Sequence, residues 1–114
     1  MDLGLVVREE ADWTVLAVSG EIDIATAPSL REKLHSLLAE GHQNLFADLD
    51  EVTFLDSSGL RVLAQSQRRL TGAHGPPRLR LVVAGAAVER VFDVTGLRSF
   101  FDVYATQEDA VRGR

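Results

Sequence analysis

The 114-residue sequence contains no cysteine, a single lysine, and no apolar run long enough to cross a bilayer. Each absence removes a class of function. Without cysteine there is no disulfide framework, no thiolate nucleophile and no thiolate-held metal. Lys33 is the only lysine, and no G-x-x-x-x-G-K-S/T segment surrounds it, which speaks against a lysine-based nucleotide cradle. Positive charge is scarce altogether: 12 Lys+Arg face 17 Asp+Glu, a net charge of −5. No basic stripe is available to release phosphate counterions, so nucleic acid is not an expected partner. Nor is a membrane, because the apolar runs are short and Met1-Asp2 does not open a signal peptide. A cytoplasmic protein that meets other proteins is the expectation.

What is present fits one globular domain over residues 1–114, with 46% hydrophobic and 25% charged residues. Leu5-Val6-Val7 and the β-rich run Trp13 to Val18 flank a polar turn and predict a hairpin that stops at Ser19-Gly20. Ala27, Leu30, Leu34, Leu37 and Leu38 follow helical spacing, with Thr26 as the expected N-cap, Pro28 in the first turn and Gly41 as the stop. Leu45 to Leu49 predicts a strand, and about Ser58 to Leu70 a helix that ends in the Gly/Pro loop Thr71–Pro77. Leu79 to Ala84 predicts another strand. Ala86 to Thr95 predicts a helix with Val88, Val91 and Phe92 inward, closed by Gly96 and Leu97. Phe100 to Tyr104 and Gln107 to Arg112 supply a short edge strand and a last helical turn or two. Strands alternating with helices after a hairpin imply a mixed α/β fold with parallel pairings.

The chemistry concentrates in Val52-Thr53-Phe54-Leu55-Asp56-Ser57-Ser58-Gly59-Leu60. An apolar run stops at an acid, two hydroxyls and a glycine, and helical periodicity begins at once. Asp56 or Ser57 is suited to cap that helix, and Gly59 permits close approach of another molecule to the backbone. A serine at a helix start sits beside unpaired N–H groups and the positive end of the dipole, which favour an added phosphate. Two capping serines at an ordinary turn are the bland alternative. Of Phe54 and Leu55, at least one is buried, and alternation does not say which.

Three segments together resemble the anti-sigma factor antagonists, which are STAS domains. They are the serine segment, Gly20-Glu21-Ile22-Asp23 followed by Ala25-Thr26-Ala27-Pro28, and Val88-Glu89-Arg90-Val91-Phe92-Asp93-Val94-Thr95-Gly96-Leu97. The resemblance runs from about Leu5 to Val111. It implies a small mixed sheet of about four or five strands with about four helices. It also implies a phosphorylation switch: Ser57 takes the position that an anti-sigma factor serine kinase modifies, and a serine phosphatase reverses the step. Unphosphorylated, such a protein binds the anti-sigma factor and frees a sigma factor. No cofactor is required of the chain itself. The alternative is a non-switching STAS module, either a transporter subunit or a ligand-sensing domain, which has no need of a particular hydroxyl at Ser57.

Glu21, Asp23, Asp56, Ser58, Gly59 and Arg61 are the expected partner-binding residues around Ser57. Asp56 serves as a cap, as an orienting group for the Ser57 hydroxyl, or as both. Glu21 and Asp23 are either a solvated acidic turn or contacts for a basic partner residue. Arg61 either meets the phosphate, lies in the interface, or is simply solvated. A hydrolase is not expected. Ser57 lacks a G-x-S-x-G elbow, His35, His42 and His74 have no obvious partner acid, and their spacing is not that of metal ligands.

Overall fold

The computed structural model describes residues 3–42, 44–71 and 79–113. Strands β1 (Leu3–Glu10) and β2 (Trp13–Ile22) form the antiparallel hairpin, with Leu5 opposite Val18 and Glu10 opposite Trp13. Helix α1 (Ala27–Ala39) leads to β3 (Leu45–Leu55), and helix α2 (Ser57–Thr71) follows after one residue. The short strand β4 (Arg80–Val82), helix α3 (Ala86–Thr95), a 3₁₀ turn at Leu97–Phe100, β5 (Asp102–Tyr104) and α4 (Gln107–Arg112) complete the chain. The sheet order is β1-β2-β3-β4-β5, and every pairing after the hairpin is parallel. Parallel neighbours need a crossover, and α1, α2 and α3 supply one each.

Several boundaries differ from those the sequence predicts. β2 runs through Ser19-Gly20 to Ile22, and β3 runs six residues beyond Leu49 to Leu55. The cause is a register irregularity: pairing shifts between Ala17 and Ser19 and again between Gly20 and Glu21. Gly20 adopts φ 101 there, a conformation open to glycine at little cost. The exposed polar residues Asp50, Glu51 and Thr53 interrupt the apolar pattern of β3 without ending its ladder. β4 is shorter than predicted because its pairing with β3 and β5 covers only three residues. The Gly/Pro loop lies outside the described residues from Gly72 onward.

Alternation along the strands divides the core. Leu16, Leu45, Ala47, Leu49 and Leu81 face α1, α2 and α3, meeting Leu30, Leu34, Leu63, Val88 and Phe92. Val15, Phe46 and Val82 face the other way and are covered by Ala110 of α4. Two polar devices hold α4 on that second face. Arg80 lies 4.3 Å above the Trp13 ring and 5.7 Å from that of Tyr104, and its Nη1 donates to the Ala110 carbonyl. Gln107 Nε2 donates to Asp48 Oδ2, giving a buried carboxylate of the central strand its partner. Among the described residues, no helix is long and apolar enough to cross a membrane.

His35 on α1 has a buried Nε2 without a hydrogen-bond partner among the described residues. Burial, with the charges of Arg69 and Arg31, lowers its pKa below the usual 6.5. Protonation therefore costs the folded state more than the unfolded chain, and stability is lost as pH falls through the unfolded value. The melting temperature is expected to drop between about pH 7 and pH 5, and to drop less in His35→Gln. Equal slopes in the two proteins would assign the fall to other groups.

Candidate functional site

Ile22, the last residue of β2, pairs with Leu55, the last of β3. The Asp56 N–H reaches across to the Ile22 carbonyl at 3.2 Å. The two turns singled out in the sequence therefore lie side by side at the C-terminal edge of the parallel strands, where α/β sheets place their sites.

Asp56 caps α2. Its Oδ1 accepts the Ser58 N–H at 2.9 Å, and its carbonyl accepts the Leu60 N–H at 3.1 Å. Ser57 is the first residue of α2, exposed, and its hydroxyl has no hydrogen-bond partner among the described residues. Ser58 is half-buried. Gly59 corrects an expectation, because it is buried and faces inward. A Cβ there would lie 2.4 Å from Leu55 Cδ1 and 2.6 Å from Ile22 Cγ2. The glycine permits close packing of α2 on the chain's own core. Leu55 is buried, whereas Phe54 is 47% exposed.

The acidic turn is built from its own side chains. Asp23 Oδ1 accepts the backbone N–H of Ala25 at 2.9 Å and of Thr26 at 3.0 Å. The Asp23 carbonyl takes the Ala27 N–H at 2.8 Å. Hydrogen bonding from the Thr26 N–H, and then from Ala25 and the Thr26 hydroxyl, holds the Asp23 carboxyl below the usual carboxylate range. Thr26 stands at the N-cap position of α1 but makes no side-chain cap bond. Its hydroxyl turns back instead, donating to the Glu21 carbonyl at 2.8 Å and accepting the Asp23 N–H at 2.9 Å. Capping of this turn thus falls to Asp23, three residues earlier than expected. Glu21 is half-buried at the end of β2.

Between α1 and α2 runs a groove of about 500 Å³, lined among others by Ile24, Arg31, Ser57, Ser58, Arg61 and Val62. Among the described residues, neither a histidine nor a carboxylate lines it. Ile24 is 80% exposed, and Arg31 and Arg61 are exposed on the two helices. Sequence reasoning missed Ile24 and Arg31. An apolar residue between Asp23 and Ala25, where a solvated turn has no use for one, was the available signal for the first. Nothing in the sequence shows that Arg31 faces the serine helix.

His42 belongs to the opposite end of the sheet. Its Nδ1 lies 2.9 Å from Thr14 Oγ1 and its Nε2 lies 3.5 Å from Glu40 Oε1, so it does have acidic company. Glu9 accepts from the same Thr14 hydroxyl at 3.2 Å. This chain of contacts ties the hairpin to the exit of α1 and lies away from the Ser57 groove. His74 lies outside the described residues.

The sequence profile of the STAS domain matches residues 5–110. The anti-sigma-B factor antagonist of Bacillus subtilis is 32% identical over 112 residues, which cover 98% of this chain and 100% of that protein. A crystal structure of an anti-sigma factor antagonist from Mycobacterium paratuberculosis superposes with a TM-score of 0.88 at 34% identity, covering 98% of this chain and 93% of that one. The antagonist SpoIIAA in its unphosphorylated form gives a TM-score of 0.76 at 25% identity, covering 97% and 98%. With its mixed five-stranded sheet, its serine turn at the C-terminal strand edge and these matches over nearly its whole length, the chain belongs to the STAS domain family, in the company of the anti-sigma factor antagonists.

Proposed function

We propose that this protein is a phosphorylation-switched anti-sigma factor antagonist of the cytoplasm. The observation that carries the reading is Ser57. Its hydroxyl is exposed and without a hydrogen-bond partner among the described residues, at the first residue of a 15-residue helix beside the exposed Ile24. In the unphosphorylated state this edge binds an anti-sigma factor, which releases its sigma factor. Ile24 gives the contact an apolar centre, with Ser58 and Arg61 in the groove and Glu21 and Asp23 in the adjoining turn between β2 and α1. Asp56 and Gly59 act through the shape and position of α2 and make no contact with the partner.

The same anti-sigma factor is the kinase. The Ser57 oxygen attacks the γ-phosphorus of ATP, the bond to the leaving ADP breaks, and the hydroxyl proton passes to a base. Base, Mg²⁺ and phosphate positioning belong to the kinase. This chain contributes an accessible hydroxyl at a helix start, where the dipole favours the product's charge. A serine phosphatase restores the binding form.

Incubation with the kinase and ATP, followed by mass-spectrometric mapping, is expected to place phosphate on Ser57 alone. Phosphate found chiefly on the half-buried Ser58, or on a threonine, would overturn the assignment.

A further inference from the structure

We propose that Arg31 and Arg61 capture the Ser57 phosphate within the same molecule, so that phosphorylation fills the groove between α1 and α2. The inference rests on the reading of Ser57 as the modified residue and adds how the modified state is held. Both arginines line the groove that contains Ser57, one from each helix, and both are exposed. Neither has a carboxylate partner among the described residues. Arg8, Arg98 and Arg112 pair with acids and Arg80 is stacked between rings, while Arg68, Arg69 and Arg90, also without an acid partner among the described residues, do not line this groove. In a chain with 17 acidic residues against 12 basic ones, two guanidiniums left unpaired in a groove free of carboxylates form a distinct positive site.

Helix geometry brings them to the serine. Side chains on a helix lean toward its N-terminus. Arg61 stands one turn beyond Ser57, at the i, i+4 spacing of facing neighbours. Arg31 stands one turn beyond Ala27, the first residue of α1, and α1 begins at the same sheet edge as α2. The nearby acids Asp56 and Asp23 are turned to their own backbone, accepting the Ser58 N–H and the N–H groups of Ala25 and Thr26, and neither pairs with Arg31 or Arg61 among the described residues. A phosphate carries about −1.5 to −2 charges and three acceptor oxygens, which match two guanidinium forks. Capture withdraws both cations from the surface a partner meets and occupies the space beside Ile24. The modified protein then loses its docking groove as well as gaining charge.

The test uses protein with phosphoserine genetically encoded at position 57, so that it does not depend on any kinase. In a ³¹P NMR titration the second phosphate pKa is expected about one unit below its free value of about 6. Arg31→Gln and Arg61→Gln should each remove part of that shift, and the double variant most of it. The part that remains in the double variant belongs to the helix start. The melting temperature should rise more on phosphorylation in the wild type than in the double variant, because only the wild type adds a bridge between α1 and α2 to the helix-start contribution. Both substitutions are at exposed positions, where effects on stability are small, and the single variants carry the comparison on their own. Identical titration curves in the wild type and all three variants would overturn the inference. Failure of the kinase to modify Ser57 would overturn the switch itself and leave the titration result standing.

Discussion

Ser57→Asp is expected to lower affinity for the anti-sigma factor roughly a hundredfold, while Ser57→Ala binds as tightly as the wild type. The aspartate places a charge on an exposed helix start beside Ile24, the surface that an apolar contact would dry. Aspartate is shorter than phosphoserine and does not span to both the Arg31 and Arg61 guanidiniums, so bringing its charge into a desolvated interface costs about 3 kcal/mol, which converts to about two decades in affinity. Misfolding is not a competing explanation for such a loss. A carboxylate in the first turn of α2 favours the helix dipole by about 0.3–1 kcal/mol, so the melting temperature should hold or rise. Alanine removes a hydroxyl that has no hydrogen-bond partner among the described residues, and leaves the Asp56 cap intact. Calorimetry on the two variants and the wild type decides the matter. Equal affinities would show that charge at this position does not control binding.

Gly59→Val is expected to destabilise the protein by about 2–3 kcal/mol, in the range of overpacked cores. Its Cβ would stand 2.6 Å from Ile22 Cγ2, on a side chain that is fully buried and branched close to its own backbone. The other clash, at 2.4 Å, is with the tip of Leu55, which can turn aside. Gly59→Ala meets the same atoms but gains about 1 kcal/mol of helix propensity, and should lose correspondingly less. For a domain of this size each kcal/mol moves the melting temperature by about 4–8 °C. A valine variant that melts within about a degree of the wild type would show that α2 is free to move away from the sheet. Because Gly59 is only two residues beyond Ser57, relief of the clash by a shift of α2 would also displace the hydroxyl.

Much of this was legible from local pattern. Apolar spacing in α1 and α3 identified the inward faces: Leu30, Leu34, Leu37, Val88 and Phe92 are buried as expected. Gly96 closes α3 in the left-handed conformation at φ 71. The acid–serine–serine–glycine segment marks a strand-to-helix turn, because a capping carboxylate acts on an N–H only two residues away. Thr26 shows where even local reasoning stops. Asp23 and Thr26 are both competent to cap, and which one does so depends on the Glu21 carbonyl, whose position follows from the shifted register of β2 on β3.

The sequence by itself determined the order of helices and strands, the hairpin start, the inward faces of α1 and α3 and the place of the serine turn, since each depends on residues within a few positions of one another. The tertiary structure alone decided how far β3 extends, that Gly59 faces Ile22 and Leu55, that α4 covers the second face of the sheet, and that Arg31 shares a groove with Ser57. Gln107 and Asp48 are 59 positions apart, and Thr14 and His42 are 28 apart. No local periodicity encodes such pairs. They form because five strands hydrogen-bonded side by side in one sheet bring distant residues to the same edge or face, where burial and the need to satisfy polar groups select the contacts.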